Sequence, residues 1–238
     1  MKIFERILNL FFPKDIKCIF CGEDVKDFEN TPYCEDCKKE KFFNVAPKRC
    51  KICDDPIYSE SDYCDNCKKE KKHFDKAIAP FLYEGKVRSM ILRFKNDNAK
   101  YLAQPMAKLM AERIKDEKIE VDAIVAVPLS EKSLKRRGYN QSLLLAREIA
   151  KLLDKPVYED VLTKTKETKH QKELSYQDRQ KNLAGAFHVE NWRAVKDKSV
   201  LLVDDIITTC ATADYLSKLL KKHAKAVYVS AFARRTKK

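Results

Sequence analysis

The chain has 238 residues, of which 44% are hydrophobic and 36% are charged. This length has room for one ordinary domain and a small second one, and the hydrophobic content excludes a wholly disordered chain. The net charge of +13 lies in the second part, since residues 1–75 hold 15 basic and 16 acidic residues and residues 76–238 hold 34 and 20. Such a basic part favours an anionic partner, nucleic acid or a phosphorylated ligand, although a lysine-rich surface without a partner explains the charge equally well.

The first residues are not expected to form a signal peptide or a membrane span. Glu5 and Arg6 interrupt the apolar side chains, and Pro13 follows them after barely three turns of a helix. Nothing in the sequence approaches the roughly 18 apolar residues that a membrane span requires. We expect this segment to pack on the zinc module described below or on a partner, with a membrane surface as the alternative, and we expect a cytoplasmic protein.

Eight of the nine cysteines form four successive C-x2-C pairs. They are Cys18, Cys21, Cys34, Cys37, Cys50, Cys53, Cys64 and Cys67. Two thiolates separated by two residues fit one tetrahedral metal ion, and two such pairs complete a four-sulfur shell. The pattern therefore predicts two structural Zn²⁺ ions, with no coordination position left for catalysis. A disulfide framework suits a secreted chain and is the weaker explanation.

The order in which the cysteine pairs combine is open between a sequential and a cross-braced arrangement. We favour the sequential one, a double zinc ribbon, because each half then closes short loops. Gly22, Asp54 and Asp65 follow cysteines where a zinc knuckle often needs left-handed backbone, and Asn66 is of the same tolerant type. We assign residues 1–73 to the N-terminal segment and zinc module, and residues 74–238 to a second domain.

The second domain is predicted to be an α/β fold with a parallel sheet flanked by helices. Residues 123–127 and 199–203 are apolar runs typical of buried strands, and residues 135–153 have apolar side chains at helical spacing. The second run ends at Asp204 and Asp205, and a small, hydroxyl-rich loop then leads into a helix over residues 213–223. The loop contains Thr208, Thr209, Cys210, Ala211 and Thr212.

This loop is a candidate phosphate site. Backbone N–H groups at a helix N-terminus favour a phosphate, and carboxylates at a strand end can accept hydrogen bonds from the vicinal hydroxyls of a ribose. A buried strand followed by a capped helix is the purely structural alternative. Cys210 is the ninth cysteine and belongs to no C-x2-C pair. For this residue we favour a packing role over a nucleophilic or redox role.

The strand, acid pair and loop resemble the phosphoribosyl diphosphate (PRPP) motif of type I phosphoribosyltransferases. The resemblance implies that Asp204 and Asp205 hold the ribose hydroxyls of PRPP in the presence of Mg²⁺. It also implies that residues 208–212 hold the 5′-phosphate. That family usually has Gly where this chain has Cys210, so a positive φ at Cys210 would cost strain.

Two further segments narrow the resemblance. The sequence LKRRGYNQ occupies residues 134–141, and residues 171–187 contain Leu174, Arg179 and Asn182 before the ending Gly-Ala-Phe. With the cysteine pairs and the acid-pair loop, they make the whole chain similar to the ComF (ComFC) family of bacterial competence proteins. The resemblance implies a role in natural transformation, handling incoming single-stranded DNA in the cytoplasm beside proteins of the competence machinery. It is also compatible with a homo-oligomer.

Arg136 and Arg137 are the candidate catalytic cations beside Asp204 and Asp205. We predict that they begin a helix, where they could stabilise a departing diphosphate or contact a DNA phosphate; an exposed basic helix start is the alternative. Residues 164–181 are predicted to form a mobile loop that covers the site, with a functionless surface loop as the rival.

Aromatic and basic residues over 74–101 could form a surface for single-stranded DNA, although such residues more often belong to a core.

Three functions stay open. The first is a competence-related protein that handles DNA and has a PRPP-binding fold. The second is an active phosphoribosyltransferase on an unknown acceptor, and the third is a regulator that senses PRPP.

Overall fold

The computed structural model describes residues 17–25, 32–40, 48–166 and 183–236. The apolar N-terminal segment and most of the predicted covering loop lie outside these ranges, and so do Leu174, Arg179 and Asn182. Within them, no helix has both the length and the apolar character needed to cross a membrane.

A parallel sheet forms the centre of the structure that follows the zinc module. The described strands are β1 (Lys76–Ile78), β2 (Phe81–Leu82), β3 (Ala123–Ala126), β4 (Leu162–Lys164), β5 (Phe187–Val189), β6 (Ser199–Ile207) and β7 (Ala226–Arg234). The order in the sheet is β1-β7-β6-β3, with β2 also paired to β7, and all of these pairs are parallel. Strands β4 and β5 form a separate antiparallel pair.

Helices cover both faces of this sheet. The described α-helices are α1 (Glu35–Lys39), α2 (Asp65–Lys69), α3 (Gly85–Asn96), α4 (Ala103–Asp116), α5 (Glu131–Arg137), α6 (Gln141–Leu153) and α7 (Ala211–Leu220). Successive side chains of a strand point to opposite faces. In β6, Leu201 and Val203 therefore join the core under α3, α4 and α6, whereas Val200 and Leu202 join the core under α7. A strand that is apolar on both faces is typical of a covered parallel sheet, and the predicted fold class is confirmed.

The single helix predicted over residues 135–153 is wrong. Gly138 has a φ of 77° and ends α5, and the side chain of Asn140 caps α6 by accepting hydrogen bonds from the N–H groups of Ser142 and Leu143. A left-handed glycine and an Asn N-cap are stop and start signals. Apolar spacing alone continues across both signals, which is why the periodicity merged the two helices.

The zinc module packs on both faces of the sheet. In the first half, Phe20 meets Phe81 of β2 in a T-shaped contact with ring centroids 5.5 Å apart. In the second half, Cys50, Cys53 and Ile57 join the core under α7. The module is thus built into the same packed structure as the sheet, while the division of the chain at residue 73 stays a prediction.

Asp54 fastens the second half of the module to the sheet domain. This residue is 2% exposed, and its carboxylate accepts hydrogen bonds from Ala79 N (2.7 Å), Arg49 (3.1 Å) and Arg113 (3.3 Å). Its φ of 60°, like the φ of 81° at Gly22, confirms the left-handed backbone predicted after a cysteine. The same prediction is wrong for Asp65 and Asn66. Both belong to α2, where an early acidic side chain complements the helix dipole.

Candidate functional site

Each set of four cysteines forms a compact sulfur cluster. The Sγ atoms of Cys18, Cys21, Cys34 and Cys37 lie within 4.8 Å of one another, and so do those of Cys50, Cys53, Cys64 and Cys67. We call these the first and the second zinc site. Four sulfurs bound to zinc at about 2.3 Å in a tetrahedron are roughly 3.8 Å apart. The separations of 3.7 Å between Cys21 and Cys34 and 3.5 Å between Cys53 and Cys64 fit this arrangement, so the sequential pairing is confirmed.

The acid pair lies near the carboxyl end of β6, just beyond the carboxyl end of the neighbouring strand β3. Strand β6 runs on to Ile207 and is therefore longer than the predicted run, which ended at the acid pair. The two strands are parallel neighbours, with Ala126 opposite Val203. Directly after Val203, Asp204 Oδ1 accepts hydrogen bonds from the Ser142 hydroxyl (2.9 Å) and from Asp205 N (2.8 Å). The edge predicted to bind a ligand therefore carries a carboxylate already oriented by α6.

Lys95 at the end of α3 forms an ion pair with the second carboxylate of this edge. Its Nζ lies 2.9 Å from Asp205 Oδ1, and Asp205 is 6% exposed. Sequence reasoning placed neither Lys95 nor Ser142 at the site. Lys95 had been considered only as part of a basic and aromatic stretch, and nothing about Ser142 distinguishes it from any other serine at a helix start.

Burial and the neighbouring Asp205 carboxylate raise the pKa of Asp204 to about 7. The charge of Lys95 and the hydrogen bonds from Asp205 N and Ser142 act in the opposite direction and do not cancel this rise. Near neutral pH, Asp204 therefore exchanges between a neutral and an ionised form. A ligand that offers hydroxyl donors or a divalent cation to this edge would favour the ionised form.

The predicted phosphate loop connects β6 to α7. Thr208, Thr209 and Thr212 are partly exposed, whereas Cys210 and Ala211 are buried. Cys210 is the N-cap of α7 and has a φ of 64°, so the positive φ considered for this position is present. Left-handed backbone costs a residue with a Cβ about 1–2 kcal/mol. The loop leads directly into the start of α7, and the start of a helix favours an anion.

The Cys210 side chain contacts the second zinc site, which sequence reasoning did not anticipate. Its Sγ accepts a hydrogen bond from Arg234 Nη1 at 2.7 Å, and Arg234 Nη2 lies 3.8 Å from Cys53 Sγ. The interaction with the Cys53 sulfur, followed by the charge of Arg234, lowers the pKa of Cys210 to about 6 although burial opposes this. The predicted packing role is therefore incomplete, because the sulfur lies in a polar contact.

Arg136 and Arg137 end α5 and do not begin a helix, so the predicted placement is wrong. Basic side chains are favoured at a helix C-terminus, where they meet the negative end of the dipole. Arg136 is exposed, and Arg137 Nη1 donates to Gln141 Oε1 at 3.1 Å. Among the hydrogen bonds and ion pairs of the described residues, none joins either arginine to Asp204 or Asp205. Their catalytic role stays a prediction.

The aromatic side chains proposed for base stacking are largely core residues. Phe74, Phe81 and Phe94 are 3% exposed or less. Arg93 donates to the carbonyl of Ile19 at 2.5 Å and so supports the first half of the zinc module. The alternative that these residues belong to a core is confirmed. Tyr101 differs from them, with 68% of its surface exposed.

The comparisons with known proteins agree with both halves of this description. A family model described as a double zinc ribbon domain matches residues 7–68. Competence protein F of Haemophilus influenzae is 31% identical over 220 residues, covering 90% of this chain and 88% of that protein. The chain belongs to the ComF family. Another member, competence protein ComFC of Streptococcus pneumoniae, is 26% identical over 222 residues, covering 87% of this chain and 94% of that protein.

Further likenesses to this ComF chain are partial. The DNA utilization protein YhgH of Escherichia coli is 35% identical over 105 residues, 44% of this chain and 45% of that protein. Among solved structures, an adenine phosphoribosyltransferase from Leishmania tarentolae overlaps 57% of this chain and 59% of its own, with a TM-score of 0.36 and 16% identity. The PRPP amidotransferase of B. subtilis overlaps 53% and 25%, with a TM-score of 0.37 and 19% identity.

Proposed function

We propose that this protein binds PRPP with Mg²⁺ at the sheet edge formed by the carboxyl ends of the neighbouring strands β3 and β6. We also propose that it acts in natural transformation by handling single-stranded DNA in the cytoplasm. The observation that carries the PRPP part is the acid pair near the carboxyl end of β6. Only Ile206 and Ile207 separate Asp205 from the threonine-rich loop that leads to the start of α7. The competence names of the relatives support the biological role.

The proposed pose follows from the polarity of the edge. The carboxylates of Asp204 and Asp205 accept hydrogen bonds from the ribose hydroxyls, with Mg²⁺ offsetting the charge of the diphosphate. The 5′-phosphate is received by the hydroxyls of Thr208, Thr209 and Thr212 and by the N–H groups at the start of α7. The ribose displaces Lys95 from Asp205, which frees the ammonium group for the diphosphate.

A calorimetric titration of the zinc-loaded protein with PRPP and Mg²⁺ tests this site. We expect saturable binding in the wild type and none in the double variant Asp204→Asn and Asp205→Asn, which removes both charges with little change of volume. Asp116→Asn is the matched control, because Asp116 is exposed at the far end of α4. Circular dichroism checks that the double variant is folded. Unchanged affinity in that variant would sink the site assignment.

The DNA part of the proposal concerns the flank of α4 and α6. An open cavity of about 1220 Å³ is lined there by four basic and three acidic residues, and by the exposed ring of Tyr101. Lys100 and Lys155 are among the basic ones. Two of the other basic residues, Arg147 and Lys151, form ion pairs with acidic residues of the same cavity. An accessible aromatic ring with ammonium groups nearby suits a single strand, because bases stack on the ring while the ammonium groups approach the phosphates.

Fluorescence anisotropy with a labelled oligonucleotide at several salt concentrations tests the DNA surface. We expect Tyr101→Ala to weaken binding by 1–3 kcal/mol, the usual contribution of one stacked base. Lys155→Ala should lower the steepness of the salt dependence by about one ion. Tyr58→Ala is the control, because Tyr58 is 86% exposed but lies on the zinc module. Equal losses from Tyr58→Ala and Tyr101→Ala would contradict this placement.

Two alternatives use the same PRPP site. An active phosphoribosyltransferase would release diphosphate when an acceptor base is supplied, with Arg136 or Arg137 stabilising the leaving group. A PRPP-sensing regulator would release none, but its DNA affinity would change when PRPP binds. Measuring diphosphate release and DNA affinity on the same samples separates these functions.

A further inference from the structure

Arg234 connects three parts of the molecule with one buried side chain. It is the last residue of β7 and is 3% exposed. Its guanidinium donates from Nη1 to Cys210 Sγ (2.7 Å) and from Nε to Asp55 Oδ1 (3.1 Å), and Nη2 lies 3.8 Å from Cys53 Sγ. The phosphate loop, the second zinc site and the residue two positions after Cys53 therefore meet at one cation.

The charge of Arg234 suits this position. Four thiolates around one Zn²⁺ leave two negative charges in excess, and a buried cation is tolerated only when it is paired and hydrogen-bonded. Arginine stays protonated and offers several donors in a fixed plane, so it can contact two sulfurs and one carboxylate together. Groups that hydrogen-bond to metal ligands orient those ligands and tune the affinity for the metal.

The backbone of Cys210 gives a second reason to regard the contact as more than packing. A non-glycine residue with left-handed backbone persists where the surrounding structure holds it. The Cys210 side chain is held by Arg234, and the next residues, Ala211 and Thr212, begin α7. The contact thus fixes the conformation of the segment that receives the phosphate under the proposed function.

We propose that Arg234 is a positioning residue that couples zinc binding at the second zinc site to the conformation of the phosphate loop. With zinc bound, Cys53 stays in place and Arg234 holds Cys210. When zinc leaves, Arg234 loses a fixed partner, residues 208–212 relax, and PRPP affinity falls. Coupling is reciprocal, so PRPP bound at the loop slows the loss of this zinc. The predicted effects on and of PRPP binding rest on the proposed function, whereas the coupling of zinc to the loop does not.

Two site-resolved measurements on the full chain test the coupling. Alkylation by N-ethylmaleimide, mapped by peptide mass spectrometry, reports zinc loss from each site separately. Hydrogen exchange of residues 208–213 reports the loop. In Arg234→Met we expect zinc loss from the second site to accelerate about 10- to 100-fold, the usual range for removing a group behind a metal ligand. Loop exchange should accelerate with it, while the first zinc site keeps its wild-type rate.

Matched variants separate positioning from general damage. Arg234→Lys keeps the charge on a single nitrogen without the planar guanidinium, so it should recover part of both effects, and it serves where Arg234→Met does not fold. Arg235→Met is the control, because the neighbouring Arg235 is exposed. Cys210→Gly removes the sulfur and the backbone strain together, so zinc removal should leave loop exchange unchanged in that variant.

The outcomes distinguish this proposal from the proposed function. Faster zinc loss from the second site without faster loop exchange overturns the coupling, and so do equal effects in Arg235→Met. If wild-type protein does not bind PRPP in calorimetry, the proposed function fails while alkylation and exchange still decide the coupling. If wild type binds PRPP and Arg234→Met binds it equally well, zinc does not govern the loop.

Discussion

The raised pKa of Asp204 predicts that PRPP binding strengthens as pH rises from 6 to 8. A carboxyl group with a pKa of about 7 is about one-tenth ionised at pH 6 and about nine-tenths ionised at pH 8. Binding to ribose hydroxyls and Mg²⁺ requires the ionised form, so the affinity should increase roughly tenfold over this range and level off above it. The bound complex should release a proton when it forms near pH 7.

Rising pH has the opposite effect on the stability of the folded protein. The folded protein holds the Asp204 proton up to about pH 7, whereas an unfolded carboxyl releases it near its ordinary value of 3.8. Ionising Asp204 therefore costs the folded state free energy, and its contribution to the free energy of unfolding falls as pH rises between about 4 and 7. Without ligand, Asp204→Asn should remove this part of the pH dependence.

Calorimetry in two buffers with different enthalpies of ionisation measures the proton released on binding. The phosphates of PRPP titrate near pH 6 themselves, so the comparison that decides is wild type against Asp204→Asn. Inorganic diphosphate, which has no ribose, is a second control in the wild type. The same pH slope in wild type and Asp204→Asn would refute the assignment of the proton to Asp204.

Three further predictions concern stability and metal content. Asp54→Ala leaves two arginines without their buried carboxylate and should lower the free energy of unfolding, measured by urea denaturation, by about 3–5 kcal/mol. Asp62→Ala, at an exposed ion pair, should change this free energy little. The double variant Cys18→Ser and Cys21→Ser should retain one zinc per chain instead of two by elemental analysis; two retained ions would contradict the first zinc site. Gly138→Ala should cost about 1–2 kcal/mol through its φ of 77° alone, because no heavy atom lies within 4 Å of the added Cβ, and an unchanged denaturation midpoint would exclude this strain.

The parts of this structure that sequence predicted are those encoded over short distances. The cysteine spacing defined both zinc sites, and an apolar run ending in Asp204 and Asp205 located the strand and the acid pair. The partners of these groups could not be obtained in this way. Ser142 lies 62 residues from Asp204, and Arg234 lies 181 residues from Cys53. Local periodicity does not report which distant segments the topology brings together.

The errors have a local physical cause. Asp65 was assigned left-handed backbone by analogy with Asp54, because both follow a cysteine. The residues that follow decide the difference, since α2 begins at Asp65 and an acidic residue in a first turn is favourable. Arg136 and Arg137 were placed at a helix start because the apolar spacing continued past Gly138, and the single glycine was given too little weight.

The position of β7 affects how the chain can fold during synthesis. This strand is the last in chain order among the described ones, yet it lies between β1 and β6 in the sheet. Val227 bonds to Asp75, 152 residues earlier. At about 5–20 residues per second, β1 waits roughly 8–30 s on the ribosome before its partner is made. Throughout that interval β1 can pair with other chains, so overproduction, which raises the concentration of unfinished chains, should favour aggregation over native pairing.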